Sequence, residues 1–149
     1  MILLICSEIS VAIADNFARN EFRKYYRSVE LAESFEKAYA IYDDNYNILG
    51  TVIFSVFANE ANINSLIVRD INQHEGIGTA LLNIVENYCR INKIKLISLS
   101  TYRFEAPRFY EKWGFELTGV SENKGDSRLD KLYYTKELGG YCADVFAAI

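Results

Sequence analysis

The stretch from Leu66 to Tyr88, LIVRDINQHEGIGTALLNIVENY, constrains this chain more than any other, because three kinds of local structure follow one another in it without a gap. Leu66, Ile67 and Val68 are apolar and β-prone, and Arg69 to Asn72 break that pattern. Gly76 and Gly78 come next, and from Ile77 the apolar residues recur at helical spacing: Ile77, Leu81, Ile84, Val85 and Tyr88. A strand, a glycine-bearing loop and a helix start in that order make an anion site. The first amides of a helix lack internal partners and carry the positive end of the helix dipole. Glycines let a ligand's oxygens come close to the backbone. Each such contact is worth roughly 0.3–2 kcal/mol, so several amides together suffice for a pyrophosphate.

Two familiar phosphate loops do not fit. A P-loop requires Gly-Lys-Ser/Thr, whereas Gly78 is followed by Thr79 and Ala80. A dinucleotide fingerprint requires a third glycine where Leu81 stands. The pattern that remains is Gln73-x-x-Gly76-x-Gly78, shortly after Val68.

The rest of the chain supplies a sheet for this unit. Met1 to Ser7 reads as a strand, and Ser10 to Arg27 as a helix with Ser10 at its cap. That helix ends in the cluster Arg23-Lys24-Tyr25-Tyr26-Arg27, read as a solvated face in preference to a contact for an acidic or nucleic-acid partner. Val29 to Ser34 is a short helix or loop. Ala38–Tyr42, Leu49–Phe57 and Ile63–Val68 form an antiparallel meander, with polar turns at Asp43–Asn47 and Asn59–Asn62. Lys95–Thr101 follows the helix, so it runs parallel to the strand ending at Val68. If those two neighbours splay, a slot opens beside the glycine loop. Phe104–Gly114 is a short helix, with Pro107 in its first turn and Gly114 at its C-terminal end. Phe115 starts a strand, Glu122–Asp126 is a hairpin loop, and Leu132–Leu138 is the last core strand. The core thus spans about 1–138. The tail from Gly139 carries Tyr141, Val145, Phe146 and Ile149, which suits an added strand, a homodimer contact or a frayed end.

With 149 residues, half of them hydrophobic, the chain is expected to form one domain. A net charge of −4 disfavours broad nucleic-acid binding. Cys6, Cys89 and Cys142 show no paired spacing and His74 is the sole histidine, so neither a disulfide framework nor a metal site is expected. Reduced thiols point to a cytoplasmic protein. The opening MILLIC stops at Glu8 without a basic leader, and no apolar run approaches the ~18 residues of a membrane helix.

A second segment, Ala106-x-x-Phe109-Tyr110-Glu111-Lys112-x-Gly114-Phe115, completes the picture. In this order, with a strand between them, the two segments resemble the signatures of the GNAT N-acyltransferase family, Q/R-x-x-G-x-G/A and A-x-x-F-Y-x-K-x-G-F. The resemblance covers about residues 38–138. Thr101-Tyr102-Arg103-Phe104-Glu105-Ala106 further resembles a bacterial subgroup with T-x-x-F-Q-A-x-x-F-Y. The resemblance implies the acyl-CoA N-acyltransferase fold: a mixed α/β structure whose mostly antiparallel, splayed sheet has six or seven strands, with helices on both faces. It implies transfer of an acetyl group from acetyl-CoA, without a metal, to a primary amine of a small molecule or protein, by direct attack in a ternary complex. Backbone groups of Leu66, Ile67 and Val68 would hold the pantetheine. The loop Gln73, His74, Glu75, Gly76, Ile77, Gly78 and Thr79 would hold the pyrophosphate, with Gly78 bare so that a phosphate can approach. Tyr110 takes the position where the family commonly keeps a general acid.

Elementary chemistry agrees with that role. An amine attacks the thioester carbonyl and a thiolate leaves. A thiol has an ordinary pKa of about 8.5 and a tyrosine about 10, so a phenol beside the sulfur is protonated at neutral pH and available to the leaving group. A backbone amide near Val68 is the natural donor to the carbonyl oxygen. For the base, Glu60 and Glu105 are the candidates, each read first as a solvated carboxylate, and a water chain is the other route. Three positions depart from the family pattern: Arg103 stands where many members have asparagine, Glu105 where the subgroup has glutamine, and His74-Glu75 where the loop is usually basic. A reading of another class is a non-catalytic acyl-CoA-binding regulatory module. A third, a toxin that acetylates charged transfer RNA, is disfavoured by the chain's acidity.

Overall fold

The computed structural model describes residues 7–25 and 34–139, in two compact units that divide between Ala32 and Glu33. The first unit contributes one described helix, α1, Val11–Tyr25. Its start is capped as expected, with the amide of Ile13 donating to Ser10 Oγ at 3.3 Å. Ion pairs Arg19–Asp15 and Lys24–Glu21 run along it, so one cation of the basic cluster is already paired. The expected first strand, the Val29–Ser34 segment and the tail fall outside the described residues apart from their end residues.

The second unit holds strands β1 (Phe35–Tyr42), β2 (Ile48–Phe57), β3 (Glu60–Val68), β4 (Leu96–Tyr102), β5 (Glu116–Ser121) and β6 (Lys131–Glu137), with helices α2 (Ile77–Ile91) and α3 (Pro107–Lys112). The described strands form one sheet in the order β1-β2-β3-β4-β6-β5. The expected mixed, mostly antiparallel sheet is present, and β3–β4 is its parallel pair because α2 carries the chain back between them. Two turns differ from expectation. β3 begins at Glu60 because the turn before it is only Ala58-Asn59, with Ala58 in the left-handed region at φ 54°. The loop after β5 runs on to Asp130 and holds a 3-10 turn at Ser127–Leu129.

Strand alternation puts Val52, Phe54 and Val56 of β2 on one face with Ala61 and Ile63 of β3, Ile97 and Leu99 of β4, and Leu132 and Tyr134 of β6, all buried. Onto that face α2 lays Leu81, Leu82, Val85 and Cys89. Burying each large apolar side chain contributes roughly 1.5–3 kcal/mol. Gly50 decides how closely α2 approaches. A Cβ there would stand 2.9 Å from Ile77 Cγ2 and 3.0 Å from the carbonyl oxygen of Ile67, so only a bare residue lets the first turn of α2 settle on β2 and β3. Helix α3 lies on the same face, through Phe109 against Gly78 and Tyr110 against Phe115 and Tyr134. Among the described residues no helix is long and apolar enough to cross a membrane.

Candidate functional site

The parallel strands β3 and β4 pair only from Glu60–Leu96 to Ile63–Leu99. Ile63 faces Phe54 on β2 and Ser65 faces Ile53, so Asn64 between them is an extra residue, a β-bulge. A bulge bends and twists its strand. From Asn64 on, β3 stays with β2, while β4 stays with β6 as far as Tyr102. The two strands therefore part, and a cleft of about 920 Å³ opens between them. The edge of β3 from Asn64 to Val68 borders it with no strand partner among the described residues.

At the wide end of the cleft the chain passes from β3 into α2. Gln73 latches this loop: its Nε2 donates to the carbonyl of Val68 at 3.4 Å and to Asp70 Oδ1 at 3.3 Å, and its own amide donates to the carbonyl of Asp70. His74 and Gly76 are both left-handed, at φ 67° and 84°. The first bond of α2 runs from the amide of Ala80 to the carbonyl of Gly76, which leaves the amides of Ile77, Gly78 and Thr79 as the open donors of the helix start. His74, Gly76, Gly78 and Thr79 line the cleft; Glu75 and Ile77 do not. The Glu75 carboxylate accepts from Asn72 Nδ2 at 3.2 Å, and the Ile77 side chain is buried in the core. Asn72 is on the rim with its Oδ1 buried and unpartnered. Gly78 has a second reason to be bare, beside the expected approach of a phosphate. A Cβ there would meet the Phe109 ring at 3.1 Å, so the residue is bare to admit α3.

The other wall is β4 and α3. Pro107 opens α3 and Gly114, at φ 83°, follows its last turn. Tyr110 lines the cleft with its ring among Phe109, Phe115 and Tyr134, at centroid distances of 5.2, 5.9 and 6.5 Å. Burial first, and then the charge of Glu105, push its pKa up to about 12. Glu105 also lines the cleft, and it is fixed in place: Thr101 Oγ1 and the amide of Tyr102 each donate to its Oε2 at 2.7 Å. Glu60, the other candidate base, pairs with Phe57 and Leu96 at the closed end of the strands and does not line the cleft.

Arg103, in the place of the expected asparagine, bridges to Asp130 through Nε and Nη2, both at 3.1 Å. Asp130 is buried and also accepts from the amide of Asn123 at 2.9 Å, so this pair ties the β4–α3 turn to the β5–β6 loop. Arg108 and Lys112 line the cleft one turn apart on α3, with no carboxylate partner among the described residues. Sequence reasoning passed over both. Their i, i+4 spacing on a helix was the available signal. The cleft thus carries Arg108 and Lys112, both without a carboxylate partner among the described residues, against the single lining carboxylate of Glu105, in a chain whose net charge is −4; Arg103 also lines it but is paired with Asp130. Among the described residues no group of His, Cys, Asp and Glu is placed to hold a metal.

Comparison with known proteins agrees with this geometry. Residues 35–117 match the family described as an Acetyltransferase (GNAT) domain. The uncharacterized protein YxbD of Bacillus subtilis is 35% identical over 87 residues, covering 57% of this chain and 54% of that protein, so the chain matches about half the length of this relative. Among solved structures, an acetyltransferase from Bacillus cereus superposes with a TM-score of 0.78 at 23% identity, covering 90% of this chain and 98% of that one. The ribosomal-protein-S18-alanine N-acetyltransferase of Escherichia coli superposes with a TM-score of 0.63 at 18% identity, covering 91% and 96%. A Bacillus anthracis structure in complex with acetyl coenzyme A superposes with a TM-score of 0.62 at 20% identity, covering 76% and 68%.

Proposed function

The chain belongs to the GNAT acetyltransferase family, and on that premise we propose that it transfers an acetyl group from acetyl-CoA to a primary amine by direct attack within a ternary complex. The observation that carries this reading is the cleft itself: an unpaired strand edge that ends at the open amides of a helix start, faced across the gap by a half-buried tyrosine. The residues fit the co-substrate. The amides of Ile77, Gly78 and Thr79, with those of the His74–Gly76 turn, suit a pyrophosphate, and Arg108 and Lys112 add cations for its charge. The edge of Leu66, Ile67 and Val68 offers backbone groups to the amides of a pantetheine arm, and an N–H of that edge is the donor for the thioester carbonyl oxygen.

Tyr110 is the acid. Attack by the neutral amine forms a C–N bond and breaks the C–S bond, and the phenol proton passes to sulfur as it leaves. An ordinary thiol, with a pKa of about 8.5, would be a poor base towards a phenol at about 12. Burial narrows that gap. Desolvation raises the pKa of a thiol as it raises that of a phenol, so the gap closes to the extent that bound acetyl-CoA excludes water from the sulfur. The proton lost by the acceptor amine passes to water.

The test pairs binding with turnover. Calorimetry is expected to show acetyl-CoA binding to the wild type and to Tyr110→Phe alike, while release of free thiol in the presence of an amine panel falls in the variant. Unchanged turnover would remove Tyr110 from its role. Binding without turnover of any amine in the wild type would reduce the protein to a coenzyme A-binding module.

A further inference from the structure

The face of the sheet opposite α2 carries a polar chain that the acetyl-transfer reading does not use. Alternation places Glu36 of β1, Ser55 of β2, Asn62 of β3 and Ser98 of β4 on that face, and the bulge brings Asn64 into line with them. Their hydrogen bonds run in one direction. Ser98 Oγ donates to Asn62 Oδ1 at 3.0 Å, Asn62 Nδ2 donates to Asn64 Oδ1 at 2.6 Å, and Asn64 Nδ2 donates to Glu36 Oε1 at 3.1 Å. Ser55 Oγ also donates to Asn64 Oδ1, at 3.3 Å.

Four features turn this chain into a site. Hydrogen bonds aligned head to tail polarise one another, and the row ends with Asn64 Nδ2 holding Glu36 in place through Oε1 alone. The row ends in a carboxylate that has no cationic partner among the described residues. Asn64 belongs both to the row and to the lining of the cleft, at the vertex where β3 and β4 part. The same face carries Glu60 and Glu137 near the row, while Lys131 sits at the far end of β6 over the Tyr133 ring. The cleft itself is cationic, so the molecule presents basic groups to the cleft and an acidic face beyond its vertex.

We infer that Glu36, oriented by Asn64, is the specificity-determining residue for the acceptor, and that the acceptor carries a second cationic group besides the amine that reacts. The reacting nitrogen must be neutral to attack, so a fixed carboxylate is of no use to it and would hold it protonated. A second ammonium a few carbons away gains from the carboxylate without losing its proton. The substrate class is therefore a diamine or a small polycation, with its free end on Glu36 and its reacting end past Asn64 in the cleft. This rests on the acetyltransferase reading above.

The experiment compares diaminoalkanes of three to six carbons with n-alkylamines of equal length, in the wild type, Glu36→Gln and Glu36→Asp. The wild type is expected to favour one diamine over its monoamine by at least tenfold in kcat/KM at low salt, with the difference in KM. In Glu36→Gln the diamine and the monoamine converge in kcat/KM, and Glu36→Asp recovers part of the preference. High salt erases the preference in the wild type. Equal use of diamines and monoamines by the wild type, or an undiminished preference in Glu36→Gln, overturns the inference and leaves acetyl transfer standing. Calorimetry of the diamine with the coenzyme A-saturated protein gives a second readout that needs no turnover, and equal affinity in wild type and Glu36→Gln also overturns it. Failure of acetyl-CoA to bind would instead defeat the transferase reading.

Discussion

The two walls of the cleft are made of different material. The β3 edge and the loop into α2 present backbone. Glu75 turns its side chain to Asn72 and Ile77 turns into the core, and this wall offers the cleft the open amides of the α2 start with His74 and Thr79 beside them. The β4–α3 wall presents side chains, namely Tyr110, Glu105, Arg108 and Lys112. The first wall is specified by shape: a bulge, two left-handed residues and a bare glycine under the helix. The second is specified by identity. Substitutions on the backbone wall should therefore register as stability and binding together, and those on the side-chain wall as chemistry or charge at constant stability.

Tyr110→Phe is the sharpest case and the largest expected effect. Positioned proton transfer contributes roughly 10²–10⁴-fold, so kcat should fall by that order while acetyl-CoA affinity and thermal stability hold. The pH profile adds to this. Tyr110 is pushed up to about 12, mainly by burial, so it stays protonated and the wild-type rate should rise with the free-amine fraction up to about pH 10 without a fall. The same sign governs stability. The part that comes from burying neutral Tyr110 and Tyr134 is complete below their ordinary pKa of about 10 and is lost as pH rises through about 12. A decline in kcat/KM centred near pH 8 would show that another group is the acid.

Gly50→Val comes next and tests the opposite wall from beneath. The added Cβ meets Ile77 Cγ2 at 2.9 Å and the backbone oxygen of Ile67 at 3.0 Å. Overpacking of this kind costs roughly 1–3 kcal/mol. It should lower the urea midpoint and weaken acetyl-CoA binding in the same variant, because lifting the first turn of α2 moves the loop amides. Lost stability with intact binding would mean that the loop is held independently of β2.

How far the sequence disclosed each wall follows from the same contrast. Helical spacing from Ile77 gives the start of α2, the expected helix over Phe104–Gly114 is found shortened to Pro107–Lys112, and the intervening helix makes β3 and β4 parallel. The loop is visible through its glycines. The bulge at Asn64 is not, because a bulge is a matter of register between two strands and leaves no side-chain signature in one of them. Ala58 hides the tight turn before β3 by taking a positive φ without being glycine. Arg103 looks like a lost asparagine until the fold brings Asp130 to it from 27 residues away. At Gly78 the sequence points to a phosphate approach, and only the fold shows that Phe109 also seats there.

Gly76→Ala measures the backbone wall alone. Nothing lies within 4 Å of a Cβ there, so the change carries no clash and only the cost of φ 84°. That cost is about 1–2 kcal/mol, expected as a modest drop in the urea midpoint, with Gly76→Asn losing less because asparagine tolerates the left-handed region. An alanine variant as stable as the wild type would mean that the loop relaxes to another conformation, and its acetyl-CoA affinity should then fall out of proportion to its stability.

Arg108→Ala and Lys112→Ala carry the smallest effects and mark the side-chain wall at its outer end. Both cations are exposed on α3 without a carboxylate partner among the described residues, so neither supports the fold and the urea midpoint should not move. Their charge acts on the phosphates of acetyl-CoA across solvent, where single exposed contacts are weak. Each variant should therefore lose roughly two- to fivefold in affinity at low salt, and the double variant the product of the two, since the residues reach the ligand separately. Salt at 1 M shortens the screening length to about 3 Å, and wild type and variants should then converge. kcat at saturating acetyl-CoA should stay level, because neither residue touches the reacting atoms. A drop in kcat without a change in affinity would place one of them beside Tyr110 during turnover, and the boundary between charge and chemistry on this wall would have to move outward along α3.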